Sequence, residues 1–261
     1  MHIHLLHLGR VSYAEGLDLQ ARVIAARKRG TIGDTLLLLE HPPVITLGRN
    51  ASRANVIASQ EFLASRGVEL YETNRGGDVT YHGPGQLVGY PIVDLRGPFP
   101  NKRGPHLGPV DFVRMLEEVL IRTCAEFGVM AKRIPGVTGV FTFGGSPQPA
   151  TKAEDKQREK KLAAIGVHVS QGVTSHGFAL NVTTDLRDFD LIVPCGIRDR
   201  AVASIELEAD GGRTVHPAAT MENAIHAVAR HFGRVFEHQV LWLESLGDFG
   251  IETDCFPLKQ A

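Results

Sequence analysis

No apolar run in this 261-residue chain approaches the roughly 20 residues needed to span a bilayer, so no membrane partner is expected. The opening Met1-His2-Ile3-His4-Leu5-Leu6-His7 lacks the basic start and long apolar core of a signal peptide. Cysteine is scarce. Cys124, Cys195 and Cys255 lie far apart and are odd in number, which suits a reducing compartment better than a secreted disulfide framework. The expected setting is the cytoplasm. Neither sign of charge dominates, with 28 Lys+Arg against 29 Asp+Glu, so no global field argues for nucleic acid. There is no Gly-x4-Gly-Lys-Ser/Thr phosphate loop, no Gly-x-Gly-x-x-Gly opening a helix, no His-Glu-x-x-His and no Cys-x-x-Cys. His2, His4 and His7 are dispersed by strand alternation, so only His2 and His4 share a face. Neither a metal nor a nucleotide cofactor is expected.

What the chain does have is ordinary globular material, 43% hydrophobic and 22% charged, long enough to bury a core without staples. Ser12 followed by Glu15 reads as a capping box opening a helix, with Leu17, Ala21, Ile24 and Ala25 on one face and Gly30 as its stop. Thr35 to Glu40 reads as a buried strand and Val44 to Leu47 as a second. Ser59 caps a short helix ending near Gly67, and Val68 to Tyr71 alternates like a strand. Val79 to Tyr81 and Leu87 to Leu95 flank a glycine-rich turn. A long helix fits Pro109 to Phe127, with Val113, Leu116, Leu120, Cys124 and Phe127 on its stripe. Strands are expected at Val137–Phe143, Leu162–Val169 and Gly177–Val182, and a last helix from Ala218 to Phe236 with Ile225, Val228, Ala229 and Phe232 inward. Helices and strands mix without regular βαβ alternation. The expectation is therefore one α+β domain over residues 1–261, a mixed or antiparallel sheet flanked by helices. Gly144 to Lys160 has no periodicity and is expected as a mobile surface loop between two strands.

Four segments stand out. Arg75-Gly76-Gly77-Asp78-Val79-Thr80-Tyr81-His82-Gly83-Pro84-Gly85-Gln86 concentrates glycine where either a ligand meets the main chain or a tight β-connection needs positive φ. Pro194-Cys195-Gly196 places a cysteine in a turn, either as an accessible thiol or as a small buried hydrophobe. Lys161 opens Lys161-Leu162-Ala163-Ala164-Ile165-Gly166 after a charged run, where a solvated loop end is the plain alternative. Ser175-His176-Gly177-Phe178-Ala179-Leu180-Asn181 suggests a strand lining a cavity, with His176 as ligand, base or structural donor. Cys124 reads as core and Cys255 as inert.

In order and spacing, these segments resemble the octanoyltransferase family, the lipoyl(octanoyl) transferases of protein lipoylation. The resemblance runs from about Leu5 to the last helix. It implies the catalytic fold of biotin- and lipoate-protein ligases, and transfer of octanoate from acyl carrier protein to a lysine of a lipoyl domain. Lipoyl domains of 2-oxoacid dehydrogenase E2 subunits and the glycine cleavage H protein are the implied acceptors. Cys195 would carry the acyl group and Lys161 would activate it. Arg75, Gly76, Gly77, Asp78, Val79, Thr80, Tyr81 and His82, then Ala164, Ile165 and Gly166, then Gly177, Phe178 and Ala179, would line the acyl pocket. Two departures are visible: the loop at 144–160 is longer than usual, and Phe141 stands where the family often has tryptophan.

The chemistry fits these residues in its own right. A thiolate exchanges with a thioester at little free-energy cost, and the final amide is more stable, so no ATP is needed. The thiolate is the reactive form, and a neighbouring lysine either favours it or accepts its proton. His82 is expected to shape the pocket or orient Lys161, and backbone N–H groups near Gly77 or Gly196 are oxyanion-hole candidates. Arg27-Lys28-Arg29 and the lysines of residues 152–161 are candidate docking sites for an acidic carrier. The rival readings are an ATP-dependent lipoate or octanoate ligase, an amidotransferase between lipoyl domains, and a non-catalytic lipoyl-domain-binding adaptor.

Overall fold

A computed structural model describes residues 1–97, 99, 106–143, 158–196, 200–209 and 218–249. Its strands are β1 (His2–Arg10), β2 (Thr35–Glu40), β3 (Val44–Leu47), β4 (Glu69–Glu72), β5 (Val79–His82), β6 (Gln86–Ile92), β7 (Ala131–Ile134), β8 (Val137–Thr142), β9 (Lys161–Ser170), β10 (Val173–Asn181) and β11 (Gln239–Leu243). Its helices are α1 (Tyr13–Arg29), α2 (Gln60–Ser65), α3 (Pro109–Glu126), α4 (Ile205–Glu208) and α5 (Met221–Phe236). Eight strands form one sheet in the order β11-β1-β2-β6-β10-β9-β8-β7, and β4-β3-β5 form a small second sheet. β1 runs parallel to β2 and β11, and the other pairs of the large sheet are antiparallel. The α+β class with a mixed sheet is therefore what the chain adopts. No helix among the described residues is long and apolar enough to cross a membrane.

The unbroken leucine run of β2 has a simple cause: the strand is buried on both faces. Leu36 and Leu38 point into the core under α3 and α5, while Leu37 and Leu39 point into the core under α1. On α5, Ile225, Val228, Ala229 and Phe232 face inward as the periodicity predicts. On α3 the stripe is Phe112, Leu116, Val119, Leu120 and Cys124; Val113 is only half-buried.

The α1 cap is the expected box: Ser12 Oγ accepts from the Glu15 N–H and Glu15 Oε2 accepts from the Ser12 N–H. Its buried face is a correction. Tyr13, Gly16, Leu19, Gln20, Val23 and Ala26 face inward, whereas Leu17 and Ile24 are half-buried and Ala21 and Ala25 are exposed. Leu19, Val23 and Ala26 on this face join an apolar core, while Gly16 and Gln20 meet polar groups. Gln20 Oε1 accepts from the His176 N–H at 2.8 Å, and a Cβ on Gly16 would lie 3.0 Å from His41 Cε1. Residues 144–157 of the expected loop lie outside the described residues. Its end does not fit a surface loop, because Glu159 is 1% exposed and Thr142 Oγ1 donates to the Arg158 carbonyl.

Candidate active site

The site begins with a register fault. β8 and β9 pair only at Val140–Ala163 and Phe141–Lys161, so two steps on β9 match one on β8. A bulge of this kind re-aims a side chain. Here it acts on Lys161, the first residue of β9, whose Nζ lies 5.5 Å from the Phe141 ring centroid. Gly139 makes room for it: a Cβ there would stand 2.8 Å from Lys161 Cε. The buried Glu117 of α3 holds that glycine in place by accepting from its N–H at 3.1 Å. Lys161 is 8% exposed, so it is not a solvated loop end. Its backbone bonds to Ala201 O and Ala203 N, and beside it Glu159 pairs with Lys132 at 2.8 Å and Arg200 at 3.3 Å.

Past Ala163 the described pairing between β8 and β9 ends, and a cavity of about 340 Å³ adjoins the freed stretch of β9. Ala164, Ile165 and Gly166 of β9 and Gly177, Phe178 and Ala179 of β10 line it, with Lys161. Arg75, Gly76, Gly77, Asp78, Thr80 and His82 face it from the small sheet and the loop before it. Val79 and Tyr81 alternate away. They pack in the core of the small sheet, where Tyr81 donates to Asp188 Oδ2 at 2.6 Å.

The glycine-rich string divides into two jobs. Gly83 to Gln86 is a turn closed by the Gln86 N–H on Gly83 O, with Pro84 and Gly85 at its centre and Gly85 at φ +79°. Gly76 is a wedge instead. It donates to Val167 O, and a Cβ on Gly166 would lie 2.5 Å from Gly76 O. Arg75 fixes the wedge from behind, with Nη2 on Thr46 O and Asp78 O at 2.6 Å each.

Pro194-Cys195-Gly196 forms a single 3₁₀ turn. The Cys195 side chain lies outside the described residues, but the turn around it is well anchored. Val193 donates to Asn55 O at 2.7 Å, and the Gly196 N–H closes the turn on Val193 O at 3.1 Å. Gly196 has φ +66°, and a Cβ on it would lie 2.7 Å from Asp78 Oδ2. Asp78 is itself held by Asn55 Nδ2 at 2.7 Å and by the N–H groups of Val79 and Ser52. Asp78 thus buttresses the cysteine turn as well as facing the pocket. The Gly196 N–H itself is engaged by that turn. Pro194 and Lys161 border one small cavity together with Ala164 and Ala179, which also line the larger pocket, so the cysteine turn and the lysine stand on one space at its end.

The histidines of the site are kept neutral. Burial holds His82 down at about 3, and His41 and His176 at about 4. His82 Nδ1 pairs with Gln86 Oε1 at 2.7 Å, which ties it to the turn. Cys124 is fully buried and its thiol is pushed up to about 12 by that burial, so it is core.

Residues 12–233 match the lipoyl protein ligase A/B catalytic domain. The chain belongs to that family. An octanoyltransferase of Acidobacterium capsulatum is 64% identical over 95% of this chain and 96% of its own length. One of Koribacter versatilis is 53% identical over 94% of this chain and 89% of its own. With relatives this similar over nearly its whole length, the chain is an acyltransferase enzyme. Among solved structures, a lipoate-protein ligase A bound with ATP superposes with a TM-score of 0.65 at 16% identity, covering 93% of this chain and 88% of that one. A bipartite lipoate protein ligase of Thermoplasma acidophilum gives the same score and identity, covering 94% and 87%. Both show a shared fold.

Within this family member, several pocket residues escaped the sequence reading: Tyr13, Val88, Tyr90 and Gly136 to Thr138. Val88 and Tyr90 lie in the stretch from Leu87 to Leu95 that reads only as a strand beside the glycine-rich turn, and nothing local marks a tyrosine as cavity wall. Of the docking candidates, Arg27 is engaged by Asp34 at 2.6 Å, and Lys160 by Glu208 at 2.7 Å. The lysines at 152 and 156, like Cys255, lie outside the described residues. Among the described residues, no group of three or more His, Cys, Asp or Glu is placed to hold a metal.

Proposed function

We propose that the whole chain acts as one cytoplasmic catalytic domain that moves an octanoyl group from acyl carrier protein to a lysine of a lipoyl domain, through a thioester on Cys195. The observation that carries this reading is the anchoring of the Pro194–Gly196 turn beside Lys161 at one end of a largely apolar pocket. Octanoate has six methylenes, and at ~0.8 kcal/mol each their burial is worth about 5 kcal/mol. That anchors the chain while its carbonyl stays at the cysteine.

In the first half-reaction the Cys195 sulfur attacks the donor thioester carbonyl. A new C–S bond forms, the old one breaks, and the carrier's sulfur leaves with the proton that Cys195 gave up, passed through Lys161. In the second, the acceptor amine attacks the Cys195 thioester. Lys161 takes the amine's proton and returns it to the departing Cys195 sulfur, leaving an amide. Thioester to thioester is near neutral and thioester to amide is downhill, so neither step needs ATP. The acceptors are lipoyl domains of E2 subunits and of glycine cleavage H protein.

Cys195→Ala is expected to abolish transfer, and Cys124→Ala to preserve most of it. Equal losses in folded variants would defeat the nucleophile assignment. Lys161→Ala is expected to move the alkylation of Cys195 to higher pH; an unchanged profile would remove Lys161 from the activating role.

A further inference from the structure

The floor of the pocket is laid out in rows. Ala179 of β10 pairs with Val88 of β6 on one side and with Ala164 of β9 on the other. Two residues before it on β10, Gly177 pairs with Gly166, and continuing the β6 register brings Tyr90 alongside. Val88, Tyr90 and Ala179 all belong to the core beneath α1, so these rows share one face. Two residues the other way, Asn181 pairs with Gln86, and these two border the small cavity shared by Lys161 and Pro194. The reacting end of the pocket is therefore the Asn181 row, and the closed end is the Gly177 row under α1. At ~3.3 Å per residue the four steps from one row to the other span about 13 Å. The seven C–C bonds of an octanoyl chain, each ~1.5 Å and zigzagged, reach about 9 Å, and the thioester sulfur at one end and the ~3.5–4 Å contact distance of the terminal methyl at the other take up the rest.

The closed end is stiff. Tyr13 and Tyr90 both line the cavity and are 2% and 4% exposed. The Tyr90 hydroxyl pairs with His41 Nε2 at 2.6 Å, and His41 Nδ1 pairs with Val11 O at 2.7 Å. The Tyr13 ring stands edge-on to His41 at 5.1 Å and packs on Tyr71 at the same distance. α1 lies directly on this group, because Gly16 brings no side chain over His41. A longer acyl chain would have to push aside rings whose polar atoms are already matched in a buried setting, which is costly.

We infer that Tyr13 and Tyr90 form the end wall that sets acyl chain length, with Ala164 and Ala179 as the floor over which the chain lies. The inference rests on the transferase reading above and names the specificity residues of that same pocket.

The test is single-turnover acylation of Cys195 by carrier protein loaded with C6, C8, C10 or C12 chains, followed by intact mass. The wild-type rate should peak at C8. Tyr90→Ala, and independently Tyr13→Ala, should raise the C12:C8 rate ratio at least tenfold. Tyr90→Phe keeps the wall and should keep the C8 peak. Ala179→Val raises the floor and should move the preference toward C6. Tyrosine variants that slow all chain lengths by one factor, or an Ala179→Val shift in the same direction as Tyr90→Ala, would overturn the assignment. If Tyr90→Ala does not fold, Tyr13→Ala and Ala179→Val still decide it through their opposite shifts. Wild type that takes no acyl group of any length onto Cys195 would instead bring down the transferase reading itself.

Discussion

The eight-stranded sheet below the pocket and the three-stranded sheet above it are held by different forces. The large sheet is gripped by two apolar cores, with Thr35 to Leu39 of β2 buried between them. The small sheet has a modest core, including Ile45, Leu47, Val79 and Tyr81, and otherwise depends on polar clamps: Arg75 on Thr46, Asp78 on Asn55, Tyr81 on Asp188. Apolar burial is non-directional and tolerates small shifts, whereas a hydrogen-bonded clamp fixes distance and angle. The fold thus takes its stability mainly from the floor and the position of the cysteine turn mainly from the roof.

Acid should break this contrast most severely, because the seam between the sheets holds His41, His82 and His176 uncharged. Their folded values of about 4, 3 and 4 lie below the ordinary 6.5, so the unfolded chain takes up protons first as pH falls. Stability is complete well above pH ~6.5 and is lost progressively as pH falls toward the folded values of about 4 for His41 and His176 and about 3 for His82, at up to ~1.4 kcal/mol per unit for each group. Urea midpoints measured from pH 7.5 to 5 check this; a flat series would contradict it. Leu38→Ala, in the floor, should cost about 2–5 kcal/mol of stability while the folded fraction still transfers at near the normal rate. Asp78→Ala, in the roof, should cost only about 1–3 kcal/mol yet slow Cys195 acylation at least tenfold, with Asp78→Asn recovering part of the loss. If Leu38→Ala and Asp78→Ala lowered stability and per-molecule rate in the same proportion, the division between floor and roof would be wrong. Cys124→Ala should be the mildest, with a stability loss of about 1–2 kcal/mol and no change in the acylation profile.

The sequence showed most of the frame and part of the site. Strong local signals translated directly: the Ser12–Glu15 box, the leucines of β2, the Pro109 start of α3 and the stripe of α5. β7 escaped because Ala131–Ile134 is only four residues long and carries Lys132 and Arg133 at its centre. β11 escaped because it gains its meaning only by pairing with β1 at the far end of the chain. The motifs named most of the residues that face the cavity, but not how they are used. That Asp78 supports Gly196, that Gly76 wedges against Val167, and that Tyr81 turns away are consequences of register and long-range contact. The face of α1 was misjudged for a related reason. Gly16 and Gln20 lie on the inward side against His41 and His176, so aliphatic residues alone do not mark the buried face.

The most direct test is to incubate the enzyme with octanoyl-acyl carrier protein, without ATP, and to read its intact mass before and after adding an unmodified lipoyl domain. An octanoyl adduct that maps to Cys195, is released by thiol, and moves to the domain's lysine is the predicted result. No adduct, with the domain modified only once ATP and free octanoate are supplied, would contradict it.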